Sequence, residues 1–501
     1  SNAGDTYILR TGQPIVDKSY MLVGQLQHGF SVGDAQDFIY GVDLQRTEPK
    51  TEGTITGRNE GDDLINEVGG YLHSERALSE KVDLIGALRV DYHNRLEDLV
   101  FSPRAALVFK PAENQNFRVT FNRAFSTPTT NNLFLDLLAA RIPLTSQIGY
   151  DVRTLGVPES GYTFDETCQG GLQGHCMFSP FAPGNQLPAN GVVLWDGLVQ
   201  ALVPAQLQPF LLQPGTQPGD PAIGSRFMRF NQEALTFLPD DGPDAIERIK
   251  PTISNTFELG YKGLIGNRLL VAADVYSSQI KDFVGPLRVE TPSVFYTPES
   301  VQAFVLHRLG PLIQGGLVSQ QQAQQIIQGF AMLPVGTVAP DQLEATDLVL
   351  TYRNFGDVDL WGADVSFQFL ATDKVSLSGS FAYVSDECFR FSEPSVSSFD
   401  PGPEECSSAL DIALNAPRSK GSVGVRWEDK ILGLALEGRA RFTEGFPMNS
   451  GVYTGVVPGY GVVDANIAYQ LRNIPGAVVS LTATNLFDNV HQEFIGAPAL
   501  G

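Results

Sequence analysis

Few residues of this sequence have the types and spacing that catalysis needs. The six histidines show no His-Glu-x-x-His spacing, and neither a phosphate-binding Gly-x-x-x-x-Gly-Lys loop nor a Gly-x-Ser-x-Gly elbow is present. Ser278 and Lys281 match Ser-x-x-Lys, but they end a predicted strand and lack the companion motifs, so we interpret the match as coincidence. The sequence therefore predicts no enzymatic activity and no cofactor.

Two groups of residues could instead hold a metal ion. Cys168, His175 and Cys176 are candidate ligands for a soft metal, with a disulfide between the two cysteines as the competing interpretation. An acidic turn around Gly242 offers hard oxygen ligands to calcium, or is simply solvated; its members are Asp240, Asp241 and Asp244.

The four cysteines fall into two local pairs. Cys168 lies close to Cys176, and Cys388 lies close to Cys406, each pair within an irregular segment rich in Gly, Pro and acidic residues. This spacing favours two loop disulfides in an oxidising compartment, because the other pairings require different loops to meet. Four reduced thiols remain the alternative.

Aromatic residues are frequent in two long segments without strand periodicity. They could form a ligand-binding vestibule, or they could pack the small cores of their own loops. The candidate ligand-binding residues are Tyr150, Tyr162, Phe164, Trp195 and Tyr296.

The elements that must position these residues are β-strands. Apolar and wetter side chains alternate along residues 99–110 and 116–126, with turn formers between them, which predicts a hairpin. The same criteria predict fourteen strands, over residues 17–31, 35–46, 64–77, 81–95, 99–110, 116–126, 254–265, 268–282, 357–370, 373–386, 415–428, 432–445, 459–471 and 477–488.

Every second connection between these strands is short. The longest of the others are 127–253 and 283–356, and the second contains two predicted helices. One begins at Pro298 and is expected to stop at Gly310-Pro311, and the other follows a capping box of Ser319 and Gln322. We expect both helices to pack on the loop itself.

Alternating short and long connections indicate an up-and-down β-barrel with short turns at one rim. One strand face is apolar, as at Val365 and Phe367, while the opposite face carries polar residues such as Asp364 and Ser366. We therefore expect the apolar face to contact lipid; a large soluble β-sandwich or propeller is the alternative.

Composition limits the class of protein further. The 501 residues carry a net charge of −22, which argues against nucleic-acid binding. Apolar runs are too short for a transmembrane helix. Ser1-Asn2-Ala3 resembles the remnant of a removed tag, so residues 1–16 are expected to be this remnant and the end of a loop.

An ordered series of motifs resembles the TonB-dependent outer-membrane receptors. The motifs are Gly69-Gly70-Tyr71, Leu88-Arg89-Val90-Asp91-Tyr92-His93, Ser102-Pro103-Arg104-Ala105-Ala106-Leu107, Arg118-Val119-Thr120-Phe121-Asn122-Arg123-Ala124-Phe125-Ser126-Thr127-Pro128, Phe257-Glu258-Leu259-Gly260-Tyr261-Lys262-Gly263 and Asn485-Leu486-Phe487-Asp488.

The resemblance implies an all-β fold, an antiparallel up-and-down transmembrane barrel of 22 strands with long extracellular loops. It assigns residues 17–501 to part of that barrel and implies an N-terminal plug with a TonB box, which we expect to be missing here along with the last strand. Its expected location is the outer membrane of a Gram-negative bacterium. The implied function is active uptake of a scarce ligand, of the ferric siderophore or cobalamin type.

The implied partners are the TonB complex, a small-molecule or metal-chelate ligand and outer-membrane lipid. A passive channel, or an adhesin or other surface-binding protein on the same fold, is the alternative from another class.

Overall fold

A computed structural model describes residues 15–143, 149–231, 236–343, 345–389, 412–450, 453–471, 474 and 476–495. The strands of this part of the chain are β1 Tyr20–Val32, β2 Gln36–Glu48, β3 Ile65–Ser79, β4 Val82–His93, β5 Val100–Ala112, β6 Gln115–Ser126, β7 Asp136–Pro143, β8 Gly149–Leu155, β9 Cys176–Phe178, β10 Gln186–Pro188, β11 Ser225–Asn231, β12 Thr236–Asp240, β13 Thr252–Ile265, β14 Leu269–Lys281, β15 Arg288–Val289, β16 Ser293–Tyr296, β17 Pro334–Thr337, β18 Leu348–Thr351, β19 Val358–Leu370, β20 Val375–Val384, β21 Cys388–Phe389, β22 Ile412–Ala413, β23 Ser419–Asp429, β24 Leu434–Thr443, β25 Phe446–Ser450, β26 Tyr453–Val457, β27 Tyr460–Gln470 and β28 Val478–Ala483. The α-helices are α1 Thr130–Phe134, α2 Trp195–Leu202, α3 Gln208–Leu211, α4 Pro298–Gln314 and α5 Gln320–Ala331, and three short 3-10 helices span Gly57–Asn59, Leu172–Gly174 and Gly191–Leu194.

The largest sheet confirms all fourteen predicted strands. Its order is β1-β2-β3-β4-β5-β6-β13-β14-β19-β20-β23-β24-β27-β28, so each long strand pairs with the next long strand along the chain. All of these pairings are antiparallel, including the predicted hairpin of β5 and β6, in which Ala105 faces Phe121. The sheet therefore has the up-and-down topology that the alternating connections predict.

The two faces of this sheet differ in chemistry. Apolar side chains on one face remain exposed, such as Leu259 at 61% and Val365 at 43%. The opposite face carries charged pairs such as Arg441 with Asp464, whose Nε and Oδ2 atoms lie 2.9 Å apart. An apolar outer face and a polar lumen are the arrangement of a membrane barrel. We call the rim with the short turns the turn end, and the opposite rim the loop end.

Changing Val365 to Arg should destabilise the barrel in lipid by about 2–4 kcal/mol, because the charge would lie near the middle of the lipid-facing surface. Urea titration of the protein folded into vesicles measures this. Ser366, the neighbour of Val365, lies on the polar face of the same strand, so Ser366→Arg is the matched control. Equal losses from the two variants would contradict the assignment of the faces.

The helices in the second long connection also form as predicted, with one difference. Ser319 and Gln322 make the capping box that begins α5. Helix α4 does not stop at Gly310-Pro311 but continues to Gln314, because the following turn, with Leu312 and Ile313, packs against the apolar core. None of the described helices is long and apolar enough to cross a membrane.

Candidate functional site

The two long connections fold together into one structure at the loop end of the barrel. We call this structure the loop module; it consists of the described residues of 127–253 and 283–356. Its six-stranded sheet has the order β10-β9-β17-β16-β11-β12, and its four-stranded sheet has the order β15-β18-β8-β7. Each sheet takes strands from both connections, so neither connection can complete its backbone hydrogen bonds alone.

An aromatic cluster forms the centre of the module. The ring of Trp195, which is fully buried, lies 5.3 Å from Tyr296, 5.4 Å from Phe304 and 4.5 Å from Phe330 between centroids. Its indole N–H donates to the carbonyl of Leu211 at 2.8 Å. Trp195 belongs to the first connection and the other three rings to the second, so this cluster joins the two connections through apolar burial.

The candidate ligand-binding aromatics lie mostly inside this module. Tyr150 is 2% exposed, Tyr162 is 5% exposed, and Trp195 and Tyr296 are fully buried, while Phe164 is partly buried against the same core. The tyrosine hydroxyls are also engaged, as Tyr150 donates to the carbonyl of Pro334 at 3.1 Å. The expectation that these rings form a vestibule therefore does not fit their positions. Apolar rings with satisfied hydroxyls instead build the loops' own core.

A buried ion cluster provides a second link between the connections. The carboxylate of Glu290, 1% exposed, pairs with Arg288, lies 2.9 Å from Arg353 and is 3.7 Å from Arg229 of the first connection. Arg229 also pairs with Asp240 at 2.5 Å. Burial alone would raise the pKa of Glu290, but the surrounding arginines outweigh it and hold this pKa below its ordinary value.

A third link joins α4 to the chain that precedes β11. Arg308 of α4 donates to both carboxylate oxygens of Asp220 at 2.6 Å. Asp220 also accepts the backbone N–H groups of Gly215 and Gln217. Hydrogen bonding from Arg308 lowers the pKa of Asp220 to about 2. Sequence patterns gave no sign of this pair, since its members are far apart in the chain.

Charged contacts help to fix the module to the barrel rim, beside the apolar packing of Ile65 against Leu133 and Phe134. Asp136, the first residue of β7, accepts from Arg58 of the β2–β3 connection at 2.6 Å and from Arg153 at 2.7 Å. Gly57 permits this approach, because its φ is +46° and a Cβ there would lie 2.5 Å from the carbonyl oxygen of Asp136. Arg95 of the rim reaches Glu159 of the module at 3.2 Å. The module is therefore positioned on the rim by residues from both sides.

Acid should destabilise the loop module. The pKa of Glu290 is lowered from 4.5 and that of Asp220 is lowered to about 2. A carboxyl group whose pKa is lower in the folded than in the unfolded state stabilises the folded state at any pH above its pKa in the unfolded state. This stabilisation is lost as the pH falls through the pKa in the folded state. We expect stability to be constant from pH 7 to 5 and to fall below about pH 4.5. Asp347, whose pKa is raised by burial, acts in the opposite direction.

This pH dependence can be read from the fluorescence of Trp195 during a titration from pH 7 to 3. A Glu290→Gln variant, which lacks the titrating group, should show a weaker dependence. An unchanged profile in that variant would contradict the role given to Glu290.

The structure decides between the interpretations of Cys168 and Cys176. The two residues are joined by a disulfide, and the ring of His175 contacts the carbonyl oxygen of Asp165 at 3.2 Å. Both thiols are therefore occupied, which leaves no thiolate for a metal. Cys406, the expected partner of Cys388, lies outside the described residues.

A digest under non-reducing conditions should release one peptide pair linked through Cys168 and Cys176, and another linked through Cys388 and Cys406. Closing each short loop should stabilise it by about 2 kcal/mol, the lower end for disulfides. Mass spectrometry of protein exported to the outer membrane measures the pairing. Crossed pairs or four alkylated thiols would contradict it.

The remaining chemical candidates also have other partners. Asp240 of the acidic turn is engaged by Arg229, and the described residues hold no group of three or more His, Cys, Asp or Glu side chains that could bind a metal. Ser278 lies within β14, with its hydroxyl 2.7 Å from that of Thr256, where the helical geometry of a Ser-x-x-Lys nucleophile is absent.

Comparison with known proteins assigns the family. The sequence matches the family described as TonB dependent receptor-like, beta-barrel over residues 2–165 and 217–486. No curated protein matches the sequence.

Several solved structures resemble the chain at low sequence identity. The FrpB iron transporter from Neisseria meningitidis (F5-1 variant) is 12% identical, with 94% of this chain and 52% of that chain covered and a TM-score of 0.46. The siderophore receptor PirA from Acinetobacter baumannii is 11% identical, with coverage of 94% and 50% and a TM-score of 0.48. A mutant of the ferric enterobactin receptor PfeA from Pseudomonas aeruginosa, in complex with enterobactin, is 10% identical, with coverage of 95% and 50% and a TM-score of 0.49.

The chain spans about half the length of these solved proteins. The family match itself covers most of the sequence, and the fourteen-stranded sheet with its apolar outer face has the architecture that the family name describes. The chain belongs to the TonB-dependent receptor β-barrel family of the Gram-negative outer membrane.

Proposed function

We propose that the complete protein is an active transporter that takes up a scarce ligand, of the ferric siderophore or cobalamin type, with energy from the TonB complex. In this proposal residues 17–501 are the receptor barrel, and a plug with a TonB box transmits the energy. The ligand is first captured at the loop end. Family membership supports the type of protein, and the loop module supports capture.

The observation that carries this proposal is the construction of the loop module. Both of its sheets and its aromatic centre combine residues of two separate connections. The ion pairs of Glu290 with Arg229 and of Asp220 with Arg308 each join one connection to the other. A surface that is already ordered binds a ligand without the entropic cost of ordering a loop. Such a fixed surface is suited to capturing a dilute ligand outside the cell.

Uptake by cells that produce the full-length protein tests the proposal. Labelled ferric siderophores and labelled cobalamin serve as probes, with and without a protonophore, in cells with and without TonB. We expect one probe to accumulate only when both the proton gradient and TonB are present. Phe304→Ala, which disrupts the module core, should reduce capture at the cell surface. Phe210→Ala changes a ring that is 41% exposed in the same module and is the matched control.

The same experiment separates the alternative functions. Accumulation that continues without TonB and without a proton gradient would indicate a passive channel, which ion conductance in planar bilayers would detect directly. Binding of a macromolecule to the cell surface without uptake of either probe would indicate an adhesin. Either result would refute active transport.

A further inference from the structure

A groove in the barrel wall, open on the polar face, differs in charge from two other cavities of the described residues. It has a volume of about 520 Å³ and is lined by residues of β1 to β6, with no carboxylate side chain among them. Of its three arginines, Arg89 and Arg104 project from the polar face, whereas Arg123 follows Asn122 along β6 and projects from the opposite face. Two other cavities in the described residues include acids as well, namely Asp274 and Asp364 in one, and Asp62 and Glu159 in the other. In a chain with 34 basic and 56 acidic residues, a groove lined only by basic charges is notable.

The strand register shows how the groove is formed. Ala87 of β4 lies directly between His73 of β3 and Arg104 of β5. Arg104 in turn lies opposite Asn122 of β6. Directly paired residues project from the same face of a sheet. The methyl group of Ala87 therefore leaves a hollow, with the larger polar side chains standing on both sides of it.

Arg89, which is nearer the loop end, closes one side of this hollow. Arg89 is two residues from Ala87 along β4, so it projects from the same face. It is bound by Asp43 and by Asp91, the latter at 2.7 Å. Two carboxylates thus already compensate the charge of Arg89. The cation of the groove on this face that remains available is Arg104.

The polar groups around Ala87 have unused hydrogen-bonding capacity. Within the described part of the chain, the side chains of Arg104, His73 and Asn122 have no hydrogen bond or ion pair, and the buried Ser102 hydroxyl has no partner. A guanidinium beside amide and hydroxyl donors is suited to a planar or tetrahedral oxyanion.

We propose that the hollow over Ala87 binds a small oxyanion, the carboxylate or phosphate group of a ligand inside the lumen. Arg104 provides the charged contact, and His73, Ser102 and Asn122 provide hydrogen bonds. Lumen-facing binding of this kind does not require transport, so it can be measured without a membrane or an energy source. Failure of the uptake proposal would leave it unaffected.

Equilibrium dialysis of the 501-residue chain, folded in detergent micelles, tests this site with labelled succinate and labelled inorganic phosphate. We expect saturable binding of at least one probe. Saturation by succinate alone identifies a carboxylate site, and saturation by phosphate alone identifies a phosphate site. Arg104→Gln should weaken binding about 10- to 100-fold, since it removes charge-assisted hydrogen bonds.

Two further variants make the test decisive. Arg439→Gln removes an arginine from the same face at β24, outside the groove, and should bind like the unchanged chain. Ala87→Glu keeps Arg104 but fills the hollow with a carboxylate, and it should abolish binding even if Arg104→Gln does not fold. Circular dichroism verifies folding of each variant. The proposal is overturned if neither probe binds saturably, if Arg439→Gln weakens binding as much as Arg104→Gln, or if Ala87→Glu binds normally.

Discussion

Changing Glu290 to Gln should lower the free energy of unfolding of the loop module by about 3–5 kcal/mol, the cost of breaking a buried ion pair by removing one partner. The glutamine has nearly the same shape, so packing is preserved and the effect isolates the charge. Arg288, Arg353 and Arg229 would lose the carboxylate that they share. Arg288 is buried, whereas the other two are partly exposed and Arg229 keeps its pair with Asp240. Since Arg229 comes from the other connection, the two connections should separate when the module unfolds.

This loss can be measured through the single tryptophan of the module. The chain has three tryptophans, and Trp361 and Trp427 lie on barrel strands, so changing both to Phe leaves Trp195 as the reporter. Denaturant titration of that background then follows the module rather than the barrel. Glu299→Gln, at an exposed acid of the first turn of α4, is the control and should have little effect. Similar losses in both variants would show that the ion cluster has no special role.

Changing Phe304 to Ala should cost about 3–5 kcal/mol, the usual range for removing a fully buried phenylalanine. Phe304 is completely buried and packs edge-on against Trp195 at 5.4 Å. Arg308 lies over the same ring at 5.2 Å. Removal of the Phe304 ring therefore also loosens the environment of the ion pair between Arg308 and Asp220. The cavity would lie at the meeting point of the two connections, where rearrangement of one is limited by the other.

The Trp195 reporter also suits this measurement, because its emission should shift to longer wavelength as the ring becomes exposed. The control is Phe210→Ala, since Phe210 belongs to the same module but is 41% exposed. We expect Phe304→Ala to unfold at much lower denaturant concentration than Phe210→Ala. If the two midpoints agree, the aromatic cluster is not the centre of the module.

The sequence alone was sufficient for the long strands of the barrel wall and their order. Each long strand alternates between a lipid-facing and a lumen-facing side chain, as Asp364, Val365 and Ser366 do, and this pattern depends only on neighbours in the chain. Pairing of consecutive strands then fixes the order of the sheet. The N-terminal cap of α5 could be predicted equally well, because the side chains of Ser319 and Gln322 each accept a hydrogen bond from the other's backbone N–H within one turn.

The loop module could be established only from the tertiary structure. Tyr150 donates to Pro334, which is 184 residues away, and Arg308 binds Asp220, which is 88 residues away. Composition revealed the aromatic residues but not the direction in which they point, so it left open whether they line a vestibule or pack the loops' own core, and their burial favours the core. In the sequence, Glu290 likewise does not differ from the other acidic residues. It becomes the centre of an ion cluster only because the fold brings three arginines from separate strands and loops to its carboxylate. A side chain's burial and partners depend on which distant segments pack together, and local sequence patterns do not specify that packing.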